Sequence, residues 1–462
     1  MNARTRVLAL VLVTLLASCS DDPSAPKQDP TSRYSRLIGG GRDEYATDVI
    51  VTTDGLRVVA GAFDDTLRVT GSSQVLVSVE QTDDIFLTAF RDDGSLAWMK
   101  GLGGSGTEQL AAISRDASDN LYIAGAYAGT STLGSFPLPA ADIDAFVAQL
   151  DPSGTPIWVV TGGATGIDRC LDVKAGADGF VYFCGDAANE FNIAGEDVGT
   201  LSGRRSAFIV RVLAGGGSGR AQVIDGTGEV TSSGLALTDA GGAYMCGHYS
   251  DGNVEVDGTI IPNDGGIDGF VAHFDDDLAG DAVIHIGGDG DANVEGIVAL
   301  GNTAVVTGYF LGAVDFDVNS PSGNVTSQGG SYDMFVARYN ADGTLIWVKT
   351  FGGTDDETGS RIARTQSGRL LVVGLFYGDT LTFGVINLQN NGAADQFLVE
   401  LDSEGRAVSA LRIGGPNEEN SVSSVAAAGD QAIVIGSGEG DILFPDGTVR
   451  TTVETDAFIF QR

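Results

Sequence analysis

Positive charge is scarce in this sequence: 26 Lys and Arg stand against 62 Asp and Glu among 462 residues, a formal net charge of −36. So few cations cannot neutralise a phosphate backbone, which excludes nucleic acid as a partner. Such a surface suits cations or basic partners, or simply keeps the chain solvated. Histidine is rarer still, with three residues, and none lies near a Ser or Cys nucleophile motif. No helical periodicity runs through residues 34–462. Proline is modest at 11 residues while apolar residues reach 43%, so the chain can bury a core and is not a disordered polymer.

The N-terminus is the one place with a concentrated apolar run. Arg4 and Arg6 precede "VLALVLVTLLA", which is too short to span a bilayer and has the layout of an export signal. The stretch "LASC", Leu16 to Cys19, resembles a bacterial lipobox. That resemblance implies a leader of residues 1–18 and a lipidated Cys19, where more than one acyl chain makes a durable anchor. Ser20 after the Cys points to the outer membrane, facing the periplasm or the cell surface. The alternative is a plain secreted leader with an incidental Cys19. Residues 19–33 are polar and Pro-rich and read as a tether.

From residue 34 the chain repeats. The phrase acidic-x-Phe recurs at Phe86, Phe146, Phe208, Phe270, Phe335, Phe397 and Phe458, spaced by 60, 62, 62, 65, 62 and 61 residues. A second marker keeps the same phase: Gly61, Gly125, Gly185, Gly247, Gly308, Gly374 and Gly436. Each copy predicts four strands. A long polar excursion separates the second from the third, and an Asp-x-x-Gly turn separates the third from the fourth. The third strand is apolar on both faces, as in "DIFLTAF", so each sheet needs neighbours on both sides. Radially packed sheets satisfy this, and the expected fold is an all-β, seven-bladed β-propeller spanning residues 34–462. The repeats, "DAFVAQLDPSG" followed by "IWVVTGG" among them, resemble the bacterial SBBP-type β-propeller repeat family. The resemblance implies this fold and is nearly silent on function. Copy three departs from the pattern, with Ser206 in place of Asp.

The last copy stops after three strands, at "TDAFIFQR". The segment "YSRLIGG", residues 34–40, matches a fourth strand: Tyr34 precedes its Gly-Gly by five residues, as Trp98 and Trp347 do. It is therefore expected to complete blade seven and remove an exposed edge.

Loops one–two and three–four are tight and share one face. The long excursions and the loops into the inner strands share the other, which is the expected binding face. Seven carboxylates lie just after the Gly-Gly positions: Glu44, Glu108, Asp168, Glu229, Asp291, Glu357 and Glu419. They read as an acidic ring at the channel mouth, either gathering a cation or basic ligand or bonding the backbone of their own loops. Calcium is the one metal the composition suggests, and Asp289, Asp291, Asn293 and Glu295 space oxygen ligands at every second residue. That stretch resembles the start of an EF-hand but has Val294 where the glycine belongs. Cys170 and Cys184 are expected to face each other across a hairpin, as a disulfide or as buried thiols beside Cys246. His248, His273 and His285 read as polar strand residues.

No residues stand out as catalytic. The sequence favours a monomeric binding module, anchored through lipid and engaging an envelope protein or glycan. Two other readings stay open: a cell-wall or polysaccharide-acting enzyme using acidic residues at the channel, and a structural envelope component.

Overall fold

Alternating apolar residues and glycine turns fold each repeat into four antiparallel strands, hydrogen-bonded in chain order from the axis outwards. The computed structural model describes residues 34–462 apart from 164, 194, 202–203, 218, 318–322, 417–419 and 453. The leader, Cys19 and the tether lie outside the described residues. Blade one consists of Glu44–Val51, Arg57–Phe63, Asp84–Phe90 and Leu96–Leu102. Six further blades repeat this plan, which makes a seven-bladed β-propeller.

One contact explains both repeat markers. Gly61 pairs with Phe86 across the second and third strands, and the equivalent glycine pairs with the equivalent Phe in all seven blades. A Cβ on Gly61 would sit 2.7 Å from the Phe86 ring and 2.0 Å from the Tyr45 carbonyl oxygen. That carbonyl approaches because the inner strand bulges there, its register slipping between Ala46 and Asp48. The same slip occurs in the other six inner strands. A bulge repeated at one position bends every inner strand alike.

The core lies between blades. Ile85, Leu87 and Ala89 pack on blade two, while Phe86 and Phe90 of the same strand pack towards blade seven. All five are fully buried. Burying each large side chain contributes roughly 1.5–3 kcal/mol, so every third strand supports two interfaces.

Tyr34–Gly40 is the outer strand of blade seven. It runs antiparallel to Asp456–Gln461, with Tyr34 opposite Gln461 and Ile38 opposite Ala457. Tyr34 also crowds the turn glycine Gly94 of blade one, as Trp158 crowds Gly216 and Trp347 crowds Gly405.

The long excursions fold mostly as small hairpins. Thr66–Val69 pairs with Val75–Val77 and also with the outer strand Tyr34–Gly40. Glu190–Ile193 meets the outer strand Pro156–Gly162, and Val254–Val256 meets Gly219–Gly226. These hairpins of one blade cover part of the open edge of the blade before it.

Candidate functional site

At five junctions the loop into the inner strand latches onto the preceding blade. The Glu108 amide donates to the Asp83 carbonyl at 2.8 Å, the Glu44 amide to Thr455 at 2.8 Å, and the Glu357 amide to Tyr332 at 2.7 Å. This puts the carboxylate after Gly-Gly beside the Asp that opens the previous third strand. A Cβ on Gly103 would lie 2.2 Å from Asp84 Oδ1 and 2.5 Å from Glu108 Oε2. The glycine is required because two carboxyl groups fill its side-chain space. On Gly163 a Cβ would lie 2.4 Å from Asp144 Oδ1 and 3.1 Å from Asp168 Oδ2. The Gly-Gly, the acidic-x-Phe and the later carboxylate thus form one constellation at a blade junction.

This placement corrects the acidic ring at the channel mouth. Glu44, Glu108, Asp168 and Glu357 are fully buried between blades, and Asp291 is half-buried. Glu229 is exposed and lies beside Arg204. Its loop is one residue out of phase, so the buried Val230 takes the equivalent place and makes the backbone latch to Arg205. Glu419 lies outside the described residues.

Burying two acids together raises their pKa values. Burial, with Asp456 alongside, pushes Glu44 up to about 9. Glu357, buried beside Asp333, rises to about 8, and Glu108 rises to about 7, chiefly through burial. Asp84 and Asp456 rise to about 6, again mainly through burial. Other junctions differ. Arg412 donates to Asp395 Oδ2 at 2.7 Å, and His285 Nε2 lies 3.2 Å from Asp268 Oδ2. Both basic groups come from the outer strand, two residues before the glycine that faces the Asp. At the junction of blades three and four, Ser206 and Val230 replace both acids.

The proposed calcium ligands do not converge. Asp291–Leu300 is a strand, so Asp291 and Glu295 are strung about 13 Å apart along it. Asp291 Oδ1 instead accepts from the Ile267 amide at 3.0 Å, while Glu295 is the bulge residue and lines the central channel. Asp289 precedes the strand, and Asn293 is buried within it. Among the described residues no three His, Cys, Asp or Glu side chains gather as a metal site.

The disulfide expectation fails on register. The inner-strand bulge sets Cys170 opposite Gly185 and Cys184 opposite Asp172. Cys170, Cys184 and Cys246 are buried free thiols, and burial pushes all three thiols up, Cys184 to about 12. Such thiols are inert. The histidines are dispersed: His273 Nδ1 lies 2.5 Å from Asp281, and burial lowers the pKa of His248.

The central channel is a cavity of about 840 Å³ lined by all seven inner strands. It reaches the short-turn face, where Asp116, Ser118 and Gly179 form part of its rim. The expected binding face is the opposite one, where the hairpins of blades one, three and four lie along the edge of the preceding blade. Asp48 anchors the wall, accepting from the Ile113 amide at 3.0 Å and the Ser424 hydroxyl at 2.7 Å on the two flanking blades. Lys174 pairs with Asp172, and although burial disfavours its charge, Asp172 and Asp48 hold its pKa above the usual lysine value. The Arg361 guanidinium donates to the Glu295 carbonyl at 2.9 Å. Sequence periodicity pointed to the inner strands but not to this cluster, which only the common bulge brings to one level.

No protein-family profile matches the chain. A curated relative, the Regulatory protein FlaEY of Caulobacter vibrioides, is 24% identical over 362 residues, covering 72% of this chain and 36% of that protein. The match thus spans about a third of the relative's length. Among solved structures, virginiamycin B lyase from Staphylococcus aureus superposes with a TM-score of 0.43 at 9% identity, over 93% of this chain and 99% of that one. Polysaccharide lyase Uly1 gives 0.45 at 9% identity over 92% and 91%, and puromycin hydrolase gives 0.45 at 14% over 89% and 53%.

Proposed function

We propose that this chain is a lipid-anchored, extracytoplasmic binding module whose ligand enters the central channel from the short-turn face. The supporting observation is the channel itself. Its volume of about 840 Å³ suits a small ligand or an inserted segment, and Lys174, Asp172, Asp48 and Arg361 put charges of both signs on its wall. The ligand class is a polar envelope component, either a glycan or a protein segment. The lipobox-like "LASC" supports anchoring through Cys19, with the outer membrane as the site, and the SBBP-like repeats are in keeping with a propeller of the bacterial envelope.

The test is capture from outer-membrane extract by a soluble Cys19→Ala form. A Lys174→Met/Arg361→Met double variant is expected to lose the captured component. Equal capture by that variant places the ligand elsewhere. In cells, labelled palmitate should enter the wild-type chain only; labelling of Cys19→Ala would overturn the anchor.

A further inference from the structure

Three junctions bury a carboxyl pair that no basic side chain reaches among the described residues: Asp84 with Glu108, Asp333 with Glu357, and Asp456 with Glu44. Glu44 and Glu357 are fully buried, and neither carboxylate oxygen of either residue has a hydrogen-bond partner of good geometry. Asp84 Oδ1, Glu108 Oε1 and Asp333 Oδ1 are buried and unpartnered in the same way. At the outer-strand position that carries Arg412 and His285 elsewhere, these three junctions have Gly101, Thr350 and Leu37.

Two buried carboxylates without a countercharge are strongly unfavourable. Of the other four junctions, the pair Asp144 and Asp168 takes the Ala188 amide on Asp168 Oδ1 at 2.9 Å, and the remaining three respond in one of two ways. Arg412 and His285 bring a basic group to the Asp, and Ser206 with Val230 removes both acids together. The bare junctions do neither, which leaves a shared proton or a countercharge from outside the chain. Backbone amides reach one oxygen of three of these acids, Val79 to Asp84 Oδ2 at 2.9 Å, Gly104 to Glu108 Oε2 at 3.2 Å and Gln328 to Asp333 Oδ2 at 3.0 Å, and further oxygens lie close by. The Thr66 carbonyl crowds the same side-chain space on Gly40 as Glu44 Oε1, and the Thr380 carbonyl and Glu357 Oε1 both flank Gly353. The buried Ser131 hydroxyl lies against Gly104, beside Glu108. Two carboxylates with added carbonyl or hydroxyl oxygen form a donor set for a hard divalent cation.

We propose that these three junctions are divalent-cation sites of the calcium class, each stapling the third strand of one blade to the inner strand of the next. The cation neutralises both carboxylates at once, which one proton cannot do. These sites are separate from the stretch Asp289 to Glu295, whose oxygens diverge along a strand.

Isothermal titration of the full, chelator-stripped chain in detergent at pH 7.5 tests this with CaCl2. Three strong sites are expected. Glu44→Gln, Glu108→Gln and Glu357→Gln should each remove one, while the exposed Glu229→Gln should leave three. Should a Gln variant not fold, terbium titration of the wild type, followed by displacement with calcium, counts the same sites. A calcium-induced rise in Tm that is present at pH 8 and absent at pH 5 also supports the proposal. No strong binding of calcium, magnesium or manganese, with Tm still falling as pH rises, would mean that a shared proton alone holds each pair, and would overturn it. Binding that survives all three substitutions would overturn it equally.

Discussion

Between blades five and six, Glu357 faces Asp333 beside the cradle of Gly352 and Gly353. Between blades three and four, Val230 and Ser206 stand in the same places, and the Val230 amide still donates to the Arg205 carbonyl at 2.9 Å. The backbone latch is thus independent of the side chains, and the acids are an addition to it. In the latter junction they are lost as a pair, which is what electrostatics requires. One buried acid can be hydrogen-bonded locally, but a change at either partner alters what the other must be. The junction of blades six and seven shows a third solution, with Arg412 on Asp395.

The most severe break removes a junction altogether. Deleting residues 34–40 strips blade seven of its outer strand and the Gly39–Gly40 cradle, and is expected to abolish cooperative unfolding and cause aggregation; unchanged calorimetric melting would contradict strand closure. Arg412→Met leaves Asp395 buried without its cation and should cost about 3 kcal/mol in denaturant unfolding, whereas Arg406→Met, an exposed change nearby, should cost under about 0.5 kcal/mol. Gly103→Ala forces a methyl group onto Asp84 and Glu108 and should cost about 2 kcal/mol.

A smaller effect is read through pH. Glu44, Glu108 and Glu357 hold their protons to higher pH when folded than when unfolded. Their stabilisation of metal-free protein is therefore complete below the unfolded carboxyl value and is lost as pH rises towards about 9. Melting temperatures of chelated protein should fall between pH 5 and 9, and Glu357→Gln should flatten part of that slope. Smallest of all, Glu229→Gln should change stability by less than about 0.5 kcal/mol, because the side chain is exposed.

The fold was legible because its markers are local and periodic. Phe86 and Gly61 announce themselves seven times over, and the aromatic spacing of Tyr34 identified the closing strand. The site was legible only in parts. Glu108 and the Asp of "DIF" were both visible as repeated acids, yet nothing in a linear reading puts residues of two different blades around one glycine. Glu229 misled because its loop shifts the acid by one residue and leaves Val230 in the buried position. Cys170 and Cys184 misled for a related reason: a bulge adds a residue to one strand only, so counting from the turn gives the wrong partner. In the channel cluster only Asp48 and Asp172 share an identity at the position after the bulge, where Arg361 stands in blade six, so the cluster does not show as a repeat.

The pairing of Tyr34 with Gln461 also sets a timetable. Tyr34–Gly40 is the first propeller strand to be synthesised, and its partner strand comes last. At ribosomal rates of roughly 5–20 residues per second, that strand waits on the order of half a minute or more for its partner within blade seven, with only the short strand Thr66–Val69 able to pair with it sooner. Blades one to six can assemble from contacts made in passing, but ring closure cannot be vectorial. For as long as the wait lasts, the nascent chain carries a strand with one edge open, and that edge needs a holding partner or an unfolded export route until Asp456–Gln461 arrives.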